Sequence, residues 1–213
     1  MEEIDSYLNI KDVDDSKISI HRLLLYDNDF PEMLKSFMCE FRKRNPEFNH
    51  VLWRKADILS IMNDEEKSIY NGYKRNIIKS DYARLIVLKY YGGLYFDLDV
   101  QIRKPIHSLV SKYFGENVFF ESFRSHVGVP MNFANHVLMA RPHSEYIQSI
   151  LDVCAERKDM DSTNDEDVFS IAGERIVTDI ANKNINNINI ITLPEHNNYF
   201  WHYGHGHWRT NNN

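Results

Sequence analysis

The sequence predicts an α/β fold, and three observations carry that expectation. Residues 18–53 read as strand, helix, strand. A firm helix over Ser80 to Tyr91 closes on Gly92-Gly93 and runs straight into the apolar segment Leu94 to Val100. Further strand patterns and helical patterns follow as far as Thr192, the mixture that builds a sheet with helices packed on it. The 213 residues suit one domain over 1–213, because no Pro/Gly/Ser-rich linker divides them and no repeat of solenoid period recurs. Residues 1–16 read as a peripheral extension, and residues 196–213 as a tail able to fold over a ligand.

The elements follow from local chemistry. Ile18-Ser19-Ile20-His21-Arg22-Leu23-Leu24-Leu25-Tyr26 is a β-rich run closed by the turn-forming Asp27-Asn28-Asp29. Pro31 suits a first helical turn, and Met33, Leu34, Phe37, Met38 and Phe41 recur at helical spacing until Asn45-Pro46 stops them. A short strand spans Phe48 to Trp53, and short helices span Ala56 to Met62 and Glu65 to Tyr70. Ser80 or Asp81 caps the next helix, with left-handed glycines at its end. Strands are expected at Val118 to Phe123, Val137 to Ala140 and Ile188 to Thr192. Helices are expected over Ser144 to Glu156 and Val168 to Asn182. His196 to Trp208 is aromatic and histidine-rich, without a period.

Composition removes several classes. Apolar residues make up 43% and charged residues 26%, the balance of an ordinary globular chain. The net charge is −6 with scattered basic residues, which argues against a nucleic-acid partner held by phosphate neutralisation. No stretch approaches the roughly 18 apolar residues of a transmembrane segment. Two distant cysteines, Cys39 and Cys154, make no disulfide framework, and the acidic Met1-Glu2-Glu3-Ile4-Asp5 has no secretory signature. The expected compartment is cytoplasmic.

The chemistry concentrates in Leu94-Tyr95-Phe96-Asp97-Leu98-Asp99-Val100. On a strand, Tyr95, Asp97 and Asp99 point to one face and Leu94, Phe96, Leu98 and Val100 to the other. Two neighbouring carboxylates repel, so the pair needs solvent, donors or a cation. Mg²⁺ or Mn²⁺, which takes oxygen ligands and leaves room for phosphates, would reconcile an acidic protein with an anionic substrate. An Asp-x-Asp triplet in a solvated loop is the bland alternative. Its position at the end of an apolar strand, where open α/β sheets bind ligands, favours the site. Asp81 and Arg84, three apart, share a helix face and read either as a surface ion pair or as a grip for sugar hydroxyls.

Taken together, Ser80-Asp81-Tyr82-Ala83-Arg84 and Tyr90-Tyr91-Gly92-Gly93-Leu94-Tyr95-Phe96-Asp97-Leu98-Asp99 closely resemble the sugar-binding DXD region of a glycosyltransferase family. That family includes the yeast initiating mannosyltransferase, capsular-polysaccharide transferases and the clostridial glucosylating toxins. Further likeness lies in Ile18 to Trp53, in Asn135 to Tyr146, in Ile171-Ala172-Gly173-Glu174 and in His202-Tyr203-Gly204-His205-Gly206-His207-Trp208. Leu24 stands near the family's usual tryptophan, and His207 replaces a serine of its closing motif.

The resemblance implies a GT-A fold, a Rossmann-like mixed sheet flanked by helices, and transfer with retention of configuration. By position, Asp99 would bind the metal directly, and Asp97 would touch the metal and the ribose or sugar. Asp81 and Arg84 would hold the transferred sugar, and Tyr95 would sit beside the nucleoside. Ile20 and His21 would lie near the base, and Trp208 against the leaving group. The implied cofactors are Mn²⁺ or Mg²⁺ and a nucleotide-sugar donor, a UDP-sugar favoured. The acceptor would be a hydroxyl on a glycan, lipid or protein. His202, His205 and His207, with His196 upstream, leave three readings open: one histidine on the catalytic metal, a solvated tail, or a separate zinc site. A nucleotide-sugar hydrolase and a catalytically silent sugar-nucleotide or glycan-binding module remain as alternatives to a transferase. Trp53 and Trp201 read as packing residues, Glu121 as a surface or acceptor-positioning carboxylate, and Asn135 as a strand-edge or sugar contact.

Overall fold

The computed structural model describes residues 7–9, 12–25, 31–113, 116–122, 131–160 and 164–204. In chain order the elements are β1 (Ser19–Leu23), α1 (Glu32–Arg44), β2 (Asn49–Trp53), α2 (Lys55–Ile61), α3 (Asp64–Gly72), α4 (Asn76–Tyr91), β3 (Gly93–Phe96) and β4 (Val100–Ile102). Then come α5 (His107–Tyr113), β5 (Val118–Phe120), β6 (Val137–Ala140), α6 (Glu145–Glu156), α7 (Asp165–Ile171), α8 (Glu174–Lys183), β7 (Asn189–Ile191), α9 (Leu193–His196) and β8 (Phe200–His202).

The expected α/β architecture is present as a mixed sheet of order β2-β1-β3-β6-β5-β7, in which β6 alone runs against its neighbours. Side-chain alternation divides the core into two layers. Tyr95, Phe119, Leu138 and Ala140 pack with α4, α6, α7 and α8 on one face. Leu94, Phe96, Val118, Phe120, Val137 and Met139 pack on the other with Phe41 of α1, Leu109 of α5 and Phe200 of β8. The helix α4 is buried nearly all round, from Ile78 to Leu88, and so forms the centre of its layer. The chain enters the site from there.

Four differences from the sequence expectation have physical causes. Helix α4 begins at Asn76, four residues before the expected cap, because Ile78 is buried in line with Tyr82 and Leu85. Ser80 and Asp81 are therefore interior. The strand expected over 94–100 ends at Phe96, where the chain turns and Val100 N–H donates to the Asp97 carbonyl at 3.2 Å. Val100–Ile102 then leaves the main sheet to pair antiparallel with Phe200–His202. The helix expected over 168–182 breaks into α7 and α8 at Gly173, where a Cβ would come 2.9 Å from Phe169 Cα. At the N-terminal side, Leu8 pairs with Val51 and Tyr7 is buried with its hydroxyl donating to Met38 O at 2.8 Å, so these residues are packed on the sheet edge.

Candidate active site

The site forms at the C-terminal end of β3, between parallel β1 and antiparallel β6, a place where strand direction reverses and a crevice opens. Gly92 and Gly93 deliver the chain from α4 into β3 at φ +61° and +81°, which only glycine adopts without strain. After Phe96 the backbone is pinned twice. Asp97 N–H donates to His136 O at 2.9 Å, and Arg22 Nη1 donates to Asp97 O at 2.8 Å. The turn, rather than a continued pleat, is what brings Asp97 and Asp99 together.

Asp97 Oδ1 is the meeting point of the cluster. It accepts from Tyr95 Oη at 2.6 Å and lies 3.1 Å from Arg84 Nη1. Arg84 Nη2 is 2.7 Å from Asp81 Oδ1, and Arg84 Nη1 also donates to Asn135 O at 2.6 Å. The Arg84 guanidinium lies 4.8 Å from the Tyr95 ring centroid. Asp81 and Arg84 are buried, so their ion pair is no surface ornament. Burial opposes the charge on Arg84, yet the fields of Asp97, Tyr95 and Asp81 outweigh it and push its pKa up. Burial raises the pKa of Asp97 against the opposing pull of Arg84. Burial also raises that of Tyr95, which stays a neutral donor.

His202 closes the cluster from β8. Its Nε2 is 3.2 Å from Asp99 Oδ1, and Asp97, Asp99 and His202 each offer a ligand atom within 4.8 Å of the others. Two carboxylates and one imidazole, half-buried and within reach of one another, fit a divalent ion that keeps positions open for other oxygens. The His136 ring stacks on His202 at 3.9 Å between centroids, 17° from parallel, and fixes the plane of the imidazole. Beside it lies a cavity of about 130 Å³ with Glu121, His136, Leu193, Trp201 and His202 in its wall.

Of the residues singled out from the sequence, Asp81, Arg84, Tyr95, Asp97, Asp99 and His202 are thus brought together. Ile20 and His21 are not among them, being fully buried in the sheet. His21 Nδ1 accepts from Trp53 Nε1 at 3.1 Å and its Nε2 faces Gly92 O at 3.0 Å. Burial pushes its pKa down to about 4, despite the Gly92 carbonyl. His205, His207 and Trp208 lie outside the described residues. His196 is a neutral packing group against Phe120 and Phe200, its pKa lowered to about 4 by burial. Trp53 is core as expected, whereas Trp201 is exposed beneath Arg103. Glu121 Oε2 accepts from Leu193 N–H at 2.7 Å, and Asn135 Nδ2 donates to Asp81 Oδ1 at 3.2 Å. Two contributors were not read from the sequence. Arg22 had a signal, a cation inside an apolar strand run; His136 had none.

Residues 31–115 match the family model of the glycosyltransferase sugar-binding region containing the DXD motif. Over 99 residues the chain is 35% identical to inositol phosphoceramide mannosyltransferase 1 of Schizosaccharomyces pombe, a match covering 44% of this chain and 31% of that protein. The PaToxG glycosyltransferase superposes with a TM-score of 0.62 at 17% identity, covering 80% of this chain and 70% of that one. A UDP-bound glycosyltransferase domain from the YGT toxin superposes at 0.53 and 9% identity, covering 83% and 79%. At those identities the two toxin domains speak to the fold, which is theirs. The fold is thus that of glycosyltransferase domains, and the stretch that matches the sugar-binding-region model carries Asp81, Arg84, Asp97 and Asp99. The resemblance read from Ser80 to Asp99 is borne out by the family match, while the chain spans about a third of the length of the curated relative. Among the described residues no helix is long and apolar enough to cross a membrane.

Proposed function

We propose that residues 1–213 form a single GT-A domain that transfers a hexose from a nucleotide diphosphate sugar to a hydroxyl acceptor on a glycan, lipid or protein, with retention of configuration. The observation that carries this reading is the convergence of Asp97, Asp99 and His202 beside the buried Asp81–Arg84 pair. Asp97, Asp99 and His202 would hold a divalent cation, which when bound would supply Lewis-acid compensation for the charge of a diphosphate leaving group. The imidazole among the donors favours Mn²⁺ over the strictly oxygen-seeking Mg²⁺. Uridine as the base is supported by the UDP-bound toxin domain of the same fold.

The chain's own residues divide the remaining tasks. Asp81 and Arg84 offer a carboxylate and a guanidinium to the transferred sugar's hydroxyls, and Arg84 also holds Asp97 Oδ1 in position. Such fixed orientation is worth several kcal/mol of barrier, on the order of ~7 when complete. Tyr95 donates to the same Oδ1 and so helps fix the orientation of the Asp97 carboxylate. The cavity beside His202, with Glu121 and Trp201 in its wall, accommodates the acceptor hydroxyl. His205, His207 and Trp208 remain candidates for closing over the diphosphate. A cytoplasmic setting is part of this reading, in keeping with two cysteines far apart in the sequence.

Release of free UDP from a panel of UDP-sugars with Mn²⁺, measured with and without candidate acceptors, tests the reading. Transfer predicts release stimulated by an acceptor. Acceptor-independent release at the full rate would make the protein a hydrolase, and binding without release a sugar-nucleotide module.

A further inference from the structure

Arg22 is a cation that the sheet alone does not call for. It sits within β1 in a run otherwise rich in isoleucine and leucine, and no part of it reaches solvent. Its guanidinium lies 4.6 Å over the Phe41 ring, and Nη1 donates to the Asp97 carbonyl at 2.8 Å. Nε and Nη2 have no hydrogen-bond partner among the described residues. A buried guanidinium with idle N–H groups is costly, and an apolar side chain of similar volume in its place is commonly neutral or stabilising. Burial accordingly lowers its pKa, while Asp97 and Asp99 are among the groups whose fields hold it charged.

The carbonyl that Arg22 grips is the one on which the Asp97–Val100 turn closes, since Val100 N–H donates to it as well. Leu98, between the two aspartates, packs against the cluster of Tyr7, Met38 and Leu52. Arg22 and Leu98 therefore tie the turn to β1 and its surroundings, while Arg84 and Tyr95 hold the Asp97 carboxylate. We infer that Arg22 is a positioning residue for the cation cradle, holding the turn so that Asp97 and Asp99 face His202 before any ligand arrives. The cradle's use for a divalent ion rests on the function proposed above; the tie between Arg22 and the turn does not.

The test is Arg22→Met in two assays, hydrogen–deuterium exchange of the peptide covering residues 97–101 and a Mn²⁺ titration followed by the free-ion EPR signal. Loss of one charge-assisted bond predicts exchange in that peptide faster by about tenfold and Mn²⁺ affinity weaker by about tenfold. The melting temperature should stay at or above that of the wild type. Wild-type exchange and affinity in a normally melting variant would overturn the inference. So would a general loss of protection across the sheet with a lowered melting temperature, which marks a plain core residue. Should Arg22→Met not fold, Arg22→Lys is read the same way: faster turn exchange and weaker Mn²⁺ binding support the role, and wild-type values overturn it. A wild-type protein that takes up no Mn²⁺ defeats the cation reading, while the exchange comparison still decides whether Arg22 holds the turn.

Discussion

At the scale of single residues, the site is a balance of charges in which no carboxylate stands alone. Asp81 and Asp97 share Arg84, and Asp99 faces His202. Arg84→Met would leave two carboxylates facing each other in a buried space, a loss of about 3–5 kcal/mol, read as a lowered urea midpoint together with abolished turnover. Asp99→Ala is different in kind, since Asp99 is half-buried at the rim. It should leave the melting temperature within a few degrees of the wild type and remove cation-dependent turnover, by a factor of at least ~100, checked by UDP release. The residues closest in sequence were the legible ones. Asp81 and Arg84 share a helix face, and the Asp-x-Asp spacing announces itself. Arg22 reaches Asp97 across 75 positions of chain, and His136, just ahead of β6, stacks on His202 of β8, which is equally remote in sequence. No local spacing encodes such contacts.

At the scale of elements, the α4–β3 junction sets the site's geometry. A Cβ on Gly92 would meet Pro142 Cδ at 2.5 Å, and one on Gly93 would run into the Ser19 carbonyl of the neighbouring strand. Both positions also have positive φ, so strain and collision add. Gly93→Ala should cost at least ~2 kcal/mol, seen as a reduced melting temperature, with turnover falling because β3 can no longer lie against β1. Strands and helices with a strong period were legible, as in α1, β2, β6 and α6, where apolar spacing and a clear stop agree. The pair β4–β8 was not. Each strand has three residues, and Val100 finds its partner only at His202. An apolar run through Phe96 to Val100 reads as one strand, because the cost of crowding carboxylates on a continuing pleat is invisible to a hydrophobic pattern.

At the scale of the whole molecule, the core depends on neutral imidazoles. His21, His50 and His196 are buried, and desolvation lowers each pKa from 6.5 to about 4. Below pH 6.5 the unfolded chain takes up protons that the folded one refuses, so stability falls as pH drops from 6.5 toward 4 and levels off once the folded state protonates too. Three such groups make the loss on the order of several kcal/mol. Melting temperature against pH should be flat near neutrality and steep below about 6.5; a curve flat down to pH 4.5 would mean that these rings are solvated. The sheet covered by helices was legible because strand and helix patterns are interspersed along the chain, whereas the reversed direction of β6, which opens the crevice, is a property of topology.

Calorimetric titration of UDP into the protein, with Mn²⁺ and with a chelator, tests the central claim most directly. Binding that requires Mn²⁺ and vanishes in Asp99→Ala is the predicted result. Equal binding in the chelator, or Mn²⁺-dependent binding that survives Asp99→Ala, would contradict it.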